Sequence, residues 1–203
     1  LNGTQTAAGS SSNTIESYSV MRGNDDVTSF YTFSNPVLGT LTVNRRAVTL
    51  TSATESRMYN GSALTNNTVT VTGDGWATNE GATYNVTGSQ TNVGSSSNTF
   101  TYTLNNNTNA DNYTINKTEG TLTVTANDST IVVTITENSG EYTYDGTEKS
   151  VTGYTASIAG SNLYTENDFT YNGSTTVAAT HAGTYNMNLS ANNFSNTNSN
   201  FNN

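Results

Sequence analysis

Residues 86–99, VTGSQTNVGSSSNT, repeat residues 1–14, LNGTQTAAGSSSNT, and this match decides the reading of the fold. Gly3, Gln5, Thr6, Gly9 and the run from Ser10 to Thr14 recur as Gly88, Gln90, Thr91, Gly94 and the run from Ser95 to Thr99. Every matched position keeps the same offset. Solenoid units are shorter, roughly 20–50 residues, so a period of this length is a whole small domain reused along the chain.

Working outward, Gly39-Thr40-Leu41-Thr42-Val43 recurs as Gly120-Thr121-Leu122-Thr123-Val124, at a slightly shorter offset. The difference is a short insertion in the first copy, and the only proline, Pro36, falls there, as suits a loop or strand end. A third, divergent copy follows. Tyr59-Asn60-Gly61-Ser62 returns as Tyr144-Asp145-Gly146-Thr147, and Gly88-Ser89 as Gly173-Ser174. After a short insertion, Thr91-Asn92-Val93-Gly94 becomes Thr180-His181-Ala182-Gly183. This reading divides the chain into the C-terminal half of a repeat (1–45), one complete repeat (46–126) and a repeat lacking its last strand (127–203).

Inside the complete copy, apolar side chains alternate at period two: Val48 and Leu50, Val69 and Val71, Tyr84 and Val86, Phe100, Tyr102 and Leu104, Tyr113 and Ile115, Leu122 and Val124. Asn60-Gly61, Gly73-Asp74-Gly75, the stretch 94–97, Asn105 to Asn107 and Glu119-Gly120 supply turns between them. Residues 53–58 are the best candidate for a short helix; no other helical period is visible. The expected fold is all-β: tandem small β-sandwich repeats of about 80–85 residues, Ig-like or β-grasp-like, since both arrangements give the same alternation.

Composition sets the class of partner. The chain holds 32 Asn, 41 Thr and 23 Ser in 203 residues, with 32% hydrophobic and 10% charged residues. Low apolar content warns of disorder, but Val, Leu, Ile, Tyr and Phe alternating with Thr and Ser is the composition of half-buried strands. A net charge of −9 with six basic residues argues against nucleic acid and anionic membrane surfaces. No run is long enough to insert in a bilayer as a helix. The absence of cysteine removes disulfides, thiol catalysis and thiolate metal sites.

The Tyr-Asn/Asp-Gly-Ser/Thr runs, Val71 to Gly75, Gly81-Ala82-Thr83-Tyr84, Gly88-Ser89-Gln90-Thr91, Asn109 to Ile115 and the closing Gly-Thr-Leu-Thr-Val together resemble MBG-type repeat domains over 59–125. Residues 142–203 are similar to the related YDG-type repeats, and 1–44 match more loosely, with Arg22-Gly23-Asn24-Asp25-Asp26 and the proline insertion as departures. Such domains occur in long arrays in large cell-surface, adhesin-like proteins of bacteria. The resemblance implies an extracellular β-module, a spacer or stalk, whose partners are neighbouring repeats, and it implies no catalytic residues.

Chemistry-bearing groups are sparse. His181, the only histidine, sits in a turn before Gly183 and reads as a solvated loop residue. The acidic residues scatter through turns, so no enzyme is expected and no cofactor. Asp25 and Asp26, with Asp111 at the corresponding place in copy two, are the weak candidates for an oxygen-rich calcium site, although neither turn has EF-hand spacing. Trp76 follows Gly73-Asp74-Gly75 and is the candidate for stacking on a sugar; the alternative is packing into the core. The tyrosines read as core and cross-strand pairs. Three functions follow from this reading. The first is a structural stalk or fibre-forming segment. The second is a module binding host or environmental glycans or mucin. The third is a filament subunit in which identical chains exchange strands.

Overall fold

The computed structural model describes residues 1–202, and it is all-β: strands joined by turns and four short 3-10 segments. Copy one contributes β1 (Gly9–Asn13), β2 (Met21–Arg22), β3 (Asp25–Asp26) and β4 (Gly39–Val43). Copy two contributes β5 (Arg46–Ser52), β6 (Glu55–Met58), β7 (Val69–Gly73), β8 (Ala82–Val86), β9 (Gly94–Asn98), β10 (Phe100–Leu104), β11 (Tyr113–Thr118) and β12 (Gly120–Thr125). Copy three contributes β13 (Val132–Glu137), β14 (Lys149–Thr152), β15 (Tyr154–Ala159), β16 (Phe169–Tyr171), β17 (Thr176–Ala179) and β18 (Phe194–Asn196). The candidate helix at 53–58 is instead strand β6, paired in parallel with β12. That pairing satisfies its backbone groups from a partner far along the chain, which outweighs a weak local preference.

In the complete copy, β5 is the central strand of a β11–β5–β7 sheet. Its Val48 and Leu50 are fully buried, while Thr49 and Thr51 alternate on the other face. The β8–β10 pair covers them: Phe100 joins Val48, Leu50 and Tyr113 in one core, with Val69, Val71, Tyr84, Val86 and Ile115 around it. This is a small sandwich, two sheets with their apolar faces together. Each fully buried Val, Leu or Phe there stabilises by roughly 1.5–3 kcal/mol. A second sheet, β6–β12–β9, buries Leu122 and Val124 against Leu64. Copy three repeats the design, with β13·β15 and β16·β18 around Tyr164, Phe169 and Phe201.

Register follows the sequence period. Val48 faces Gly73 and Leu50 faces Val71 in β5·β7; at the matching positions of copy three, Val133 faces Ile158 and Ile135 faces Ala156 in β13·β15. The two matched segments that define the repeat also make the same bonds. Gln5 Nε2 donates to Ala7 O and Gln90 Nε2 to Asn92 O, both at 2.7 Å. Ser10 meets Thr42 at 2.8 Å, and Ser95 meets Thr123 at 2.9 Å. Gly88 is required because a Cβ there would lie 2.5 Å from the Cα of Asn98; Gly3 stands in the same relation to Asn13.

The compact units are out of step with the sequence period. One unit comprises Leu1–Thr54, Asn66–Gly88 and Ser97–Thr121; the other comprises Glu55–Thr65, Ser89–Ser96 and Leu122–Asn203. Each thus joins strands of one copy to the body of the next. The joint is the same in both. Ala8 N–H donates to Asn112 Oδ1 in the first unit, and Val93 N–H donates to Asn200 Oδ1 in the second, each at 2.8 Å.

Candidate functional site

Trp76 packs against the core rather than standing free on the surface. It is half-buried, edge-on to Tyr113 with ring centroids 5.0 Å apart, and its Nε1–H donates to Tyr84 Oη at 3.2 Å. Tyr113 is itself buried, accepts from Ala77 N–H at 3.0 Å and donates to Glu80 Oε2 at 2.6 Å. Burial, then the Glu80 hydrogen bond, holds its hydroxyl above the ordinary tyrosine value of 10.0. A raised value means that the fold favours the protonated phenol. That contribution is complete below about pH 10 and is lost as pH rises through the folded value. Stability of this unit should therefore fall on the alkaline side, and Tyr113→Phe should flatten that limb; denaturant titrations at pH 8 and pH 11 check it.

The acidic candidates are not gathered. Asp25 and Asp26 lie on the β2·β3 hairpin, and Asp111 on the 3-10 turn Ala110–Asn112 that leads into β11. Asp26 Oδ1 accepts from the hydroxyl and amide of Thr28, the hydroxyl first, which lowers its carboxyl below the usual value. Asp111 is exposed, its amide capped by Asn109 Oδ1 at 3.0 Å. Among the described residues no three His, Cys, Asp or Glu side chains come together as a metal site would need.

A concavity with His181 in its lining lies in the second unit. It is an open cleft of about 480 Å³, lined by residues 140–144 from one direction and 179–185 from another, with Val151 of β14 and Val177 of β17 between. Three tyrosines line it with much of their surface exposed: Tyr142 at 56%, Tyr144 at 65% and Tyr185 at 49%. At its rim Lys149 Nζ donates to Asp145 Oδ2 at 2.7 Å, and this with Thr147 holds the Asp145 carboxyl down to about 2. His181 is exposed, and its carbonyl accepts from Tyr185 Oη at 3.4 Å. Among the described residues no nucleophile–base pair is assembled here.

The chain matches no family model, no curated protein and no solved structure.

The meaning of the cleft comes from the chain's own repeat. Residues 140–143 correspond to β6, Gly183 corresponds to Gly94 at the start of β9, and Tyr144 corresponds to Tyr59. Tyr59 is half-buried: it packs on Leu64, Leu122 and Val124 on one side and meets Phe201 edge-on at 5.8 Å on the other. Where copy two holds β12 between β6 and β9, copy three has the cleft. The signal that could have found this site was the Tyr59/Tyr144 match, which places Tyr144 just after the counterpart of β6.

Proposed function

We propose that this chain is a tension-bearing structural segment, a stalk or spacer, of a secreted bacterial surface protein. The parallel pairing that closes the complete repeat carries this reading. The strands that enter the repeat, β5 and β6, lie beside the strands that leave it, β11 and β12. The ladder runs from Arg46↔Tyr113 to Thr51↔Thr118 and from Glu55↔Leu122 to Met58↔Thr125, both in parallel. Tension entering at Arg46 and leaving at Thr125 pulls these strands past one another along their own axes. Within each ladder the bonds then resist together, whereas an antiparallel hairpin pulled from its open end yields one bond at a time.

The buried Ser52 strengthens the same seam. Its hydroxyl donates to Asn98 O at 2.6 Å and accepts from Gly120 N–H at 2.9 Å. The recurring Ala8–Asn112 and Val93–Asn200 bonds supply a joint that repetition can propagate. A surface of Thr, Asn and Ser with a net charge of −9 suits a long solvated segment that does not adhere to itself. The resemblance to arrayed cell-surface repeats points the same way. The glycan reading drew on Trp76, and that side chain is half-buried against Tyr113 and Tyr84.

Single-molecule pulling between the two ends tests the proposal with an internal control. In copy three, among the described residues, the strand ladders are antiparallel and only the Asn127↔Phe201 bridge is parallel. The parallel β5·β11 and β6·β12 ladders, one in each compact unit, should each open in a high-force event, releasing about 3.3–3.6 Å per residue. Copy three should give way at much lower force. Equal, low forces for both copies would sink the load-bearing reading.

A further inference from the structure

We propose that an apolar pocket in the core of copy three is a ligand site, and that it takes a small molecule in which an aromatic ring carries an ammonium group. The pocket holds about 410 Å³ and is lined by β13 on one side and by β16 and β18 on the other. Small-molecule sites span roughly 300–1,000 Å³. Copy two shows what such a place accepts. There Phe100 is sealed against Val48, Leu50 and Tyr113, with Tyr84 packed on the cluster. Val133, Ile135 and Phe169 match Val48, Leu50 and Tyr84 at the offset that relates Tyr144 to Tyr59. Phe194 follows the 3-10 turn Ala191–Asn193 as Tyr113 follows Ala110–Asn112. All four line the pocket. The walls of the Phe100 site are thus built twice, and in copy three they enclose open space.

The side chain that corresponds to Phe100 is present but lies elsewhere. Thr99-Phe100-Thr101-Tyr102-Thr103-Leu104 is matched, at the same offset, by Thr184-Tyr185-Asn186-Met187-Asn188-Leu189. Residues 184–190 form no strand, and Asn188 takes a φ of 56°, the left-handed region, which breaks the period of two. Tyr185 is accordingly 49% exposed in the other cleft, with its hydroxyl on the His181 carbonyl. Leu189 N–H donates to Glu137 Oε1 at 2.6 Å, which holds the segment in this course.

Glu137 is the second difference between the copies. It stands where copy two has Ser52, and it is the one charged side chain among the described residues that line the pocket. Its carboxylate can accept from further donors beside Leu189 N–H. A half-buried carboxylate beside an aromatic-lined pocket favours a cation, and the faces of Phe169 and Phe194, with centroids 5.9 Å apart, attract one as well. The ligand's ring supplies the packing that Phe100 supplies in copy two, and its ammonium group meets Glu137. This inference is independent of the load-bearing reading, which concerns the β5·β11 and β6·β12 ladders.

Titration of the whole chain with phenethylammonium, followed by methyl NMR, tests it. The Val133, Ile135 and Leu189 methyl resonances should shift and saturate, while those of Val48 and Leu50, sealed by Phe100, stay in place. Phenethyl alcohol, the same ring without the charge, should bind at least about 10-fold more weakly, because it forms no charge-assisted hydrogen bond with Glu137. Glu137→Gln should weaken the amine by a similar factor and leave the affinity for the alcohol unchanged. Retained binding of the alcohol shows that this variant keeps its pocket. An absence of shifts at Val133 and Ile135 with the amine, equal affinities of the native chain for amine and alcohol, or an unchanged affinity of Glu137→Gln for the amine would each overturn the proposal. So would contacts between the Tyr185 ring and the Val133 and Ile135 methyls in the ligand-free chain, which would mean that the pocket closes on its own side chain.

Discussion

Asn98→Ala should lower the stability of the first unit by about 2–4 kcal/mol, moving the urea midpoint down by about 1–2 M in a titration followed by Trp76 fluorescence. Asn98 is fully buried at the end of β9. Its Nδ2 donates to Ala53 O at 3.0 Å and to Asn66 O at 2.9 Å, tying two connecting segments to the strand. Alanine leaves both carbonyls without that donor and opens space beside Gly88 and the Ser52 seam, and an unmet buried acceptor costs more than the hydrogen bond contributed. The chain supplies its own control. Asn13 is the same residue of the same pentapeptide in β1, but it is half-buried and its amide reaches no such pair of carbonyls among the described residues. Asn13→Ala should cost below about 0.5–1 kcal/mol. Equal effects at the two positions would mean that the network around Asn98 contributes nothing.

Phe100→Ala should cost about 3–5 kcal/mol, the range for emptying a large aromatic site in a packed core. Phe100 is 1% exposed, lies against Val48, Leu50 and Tyr113, and carries Lys117 Nζ 4.8 Å above its ring. Lys117 also pairs with Glu119 at 2.6 Å, which fixes it over the aromatic face. Domains are typically stable by only about 5–15 kcal/mol, so this loss removes a large share of the margin. The corresponding residue in copy one is Ile15, which is 42% exposed. Ile15→Ala should cost below about 1 kcal/mol. Thermal melts of the two variants decide the matter; a shift at Ile15 as large as that at Phe100 would contradict the burial described.

Much of the architecture was legible because its signals are local. Val48, Leu50 and Phe100 alternate with threonines, and a period of two can be read without knowing which strand lies next door. The turns at Asn60-Gly61 and Gly73-Asp74-Gly75 carry positive φ at Gly61, Gly73 and Gly75, the left-handed conformation that glycine adopts freely. The candidate site was far less legible. Trp76 drew attention as the lone tryptophan, yet whether its ring meets solvent depends on Tyr113, several strands further along the chain. Tyr142, Tyr144 and Tyr185 read as ordinary strand tyrosines, because their exposure in the cleft is set by segments distant in the chain. The β6 segment misled for the same reason: its conformation is set by β12.

From the sequence alone came the reuse of one domain-sized segment, its all-β character, the positions of its turns and the absence of thiol chemistry. Those properties depend on side-chain type and spacing along the chain, and every copy carries them. The tertiary structure decided what identical words mean in different places. Asn98 is sealed and Asn13 is not; Leu122 is buried and Leu41 is open; Phe100 is core and Ile15 is surface. It also decided that β5 and β6 lie parallel to β11 and β12. Burial and strand direction are properties of partners distant in the chain, and a local pattern states only that a strand has an apolar face, never what covers it.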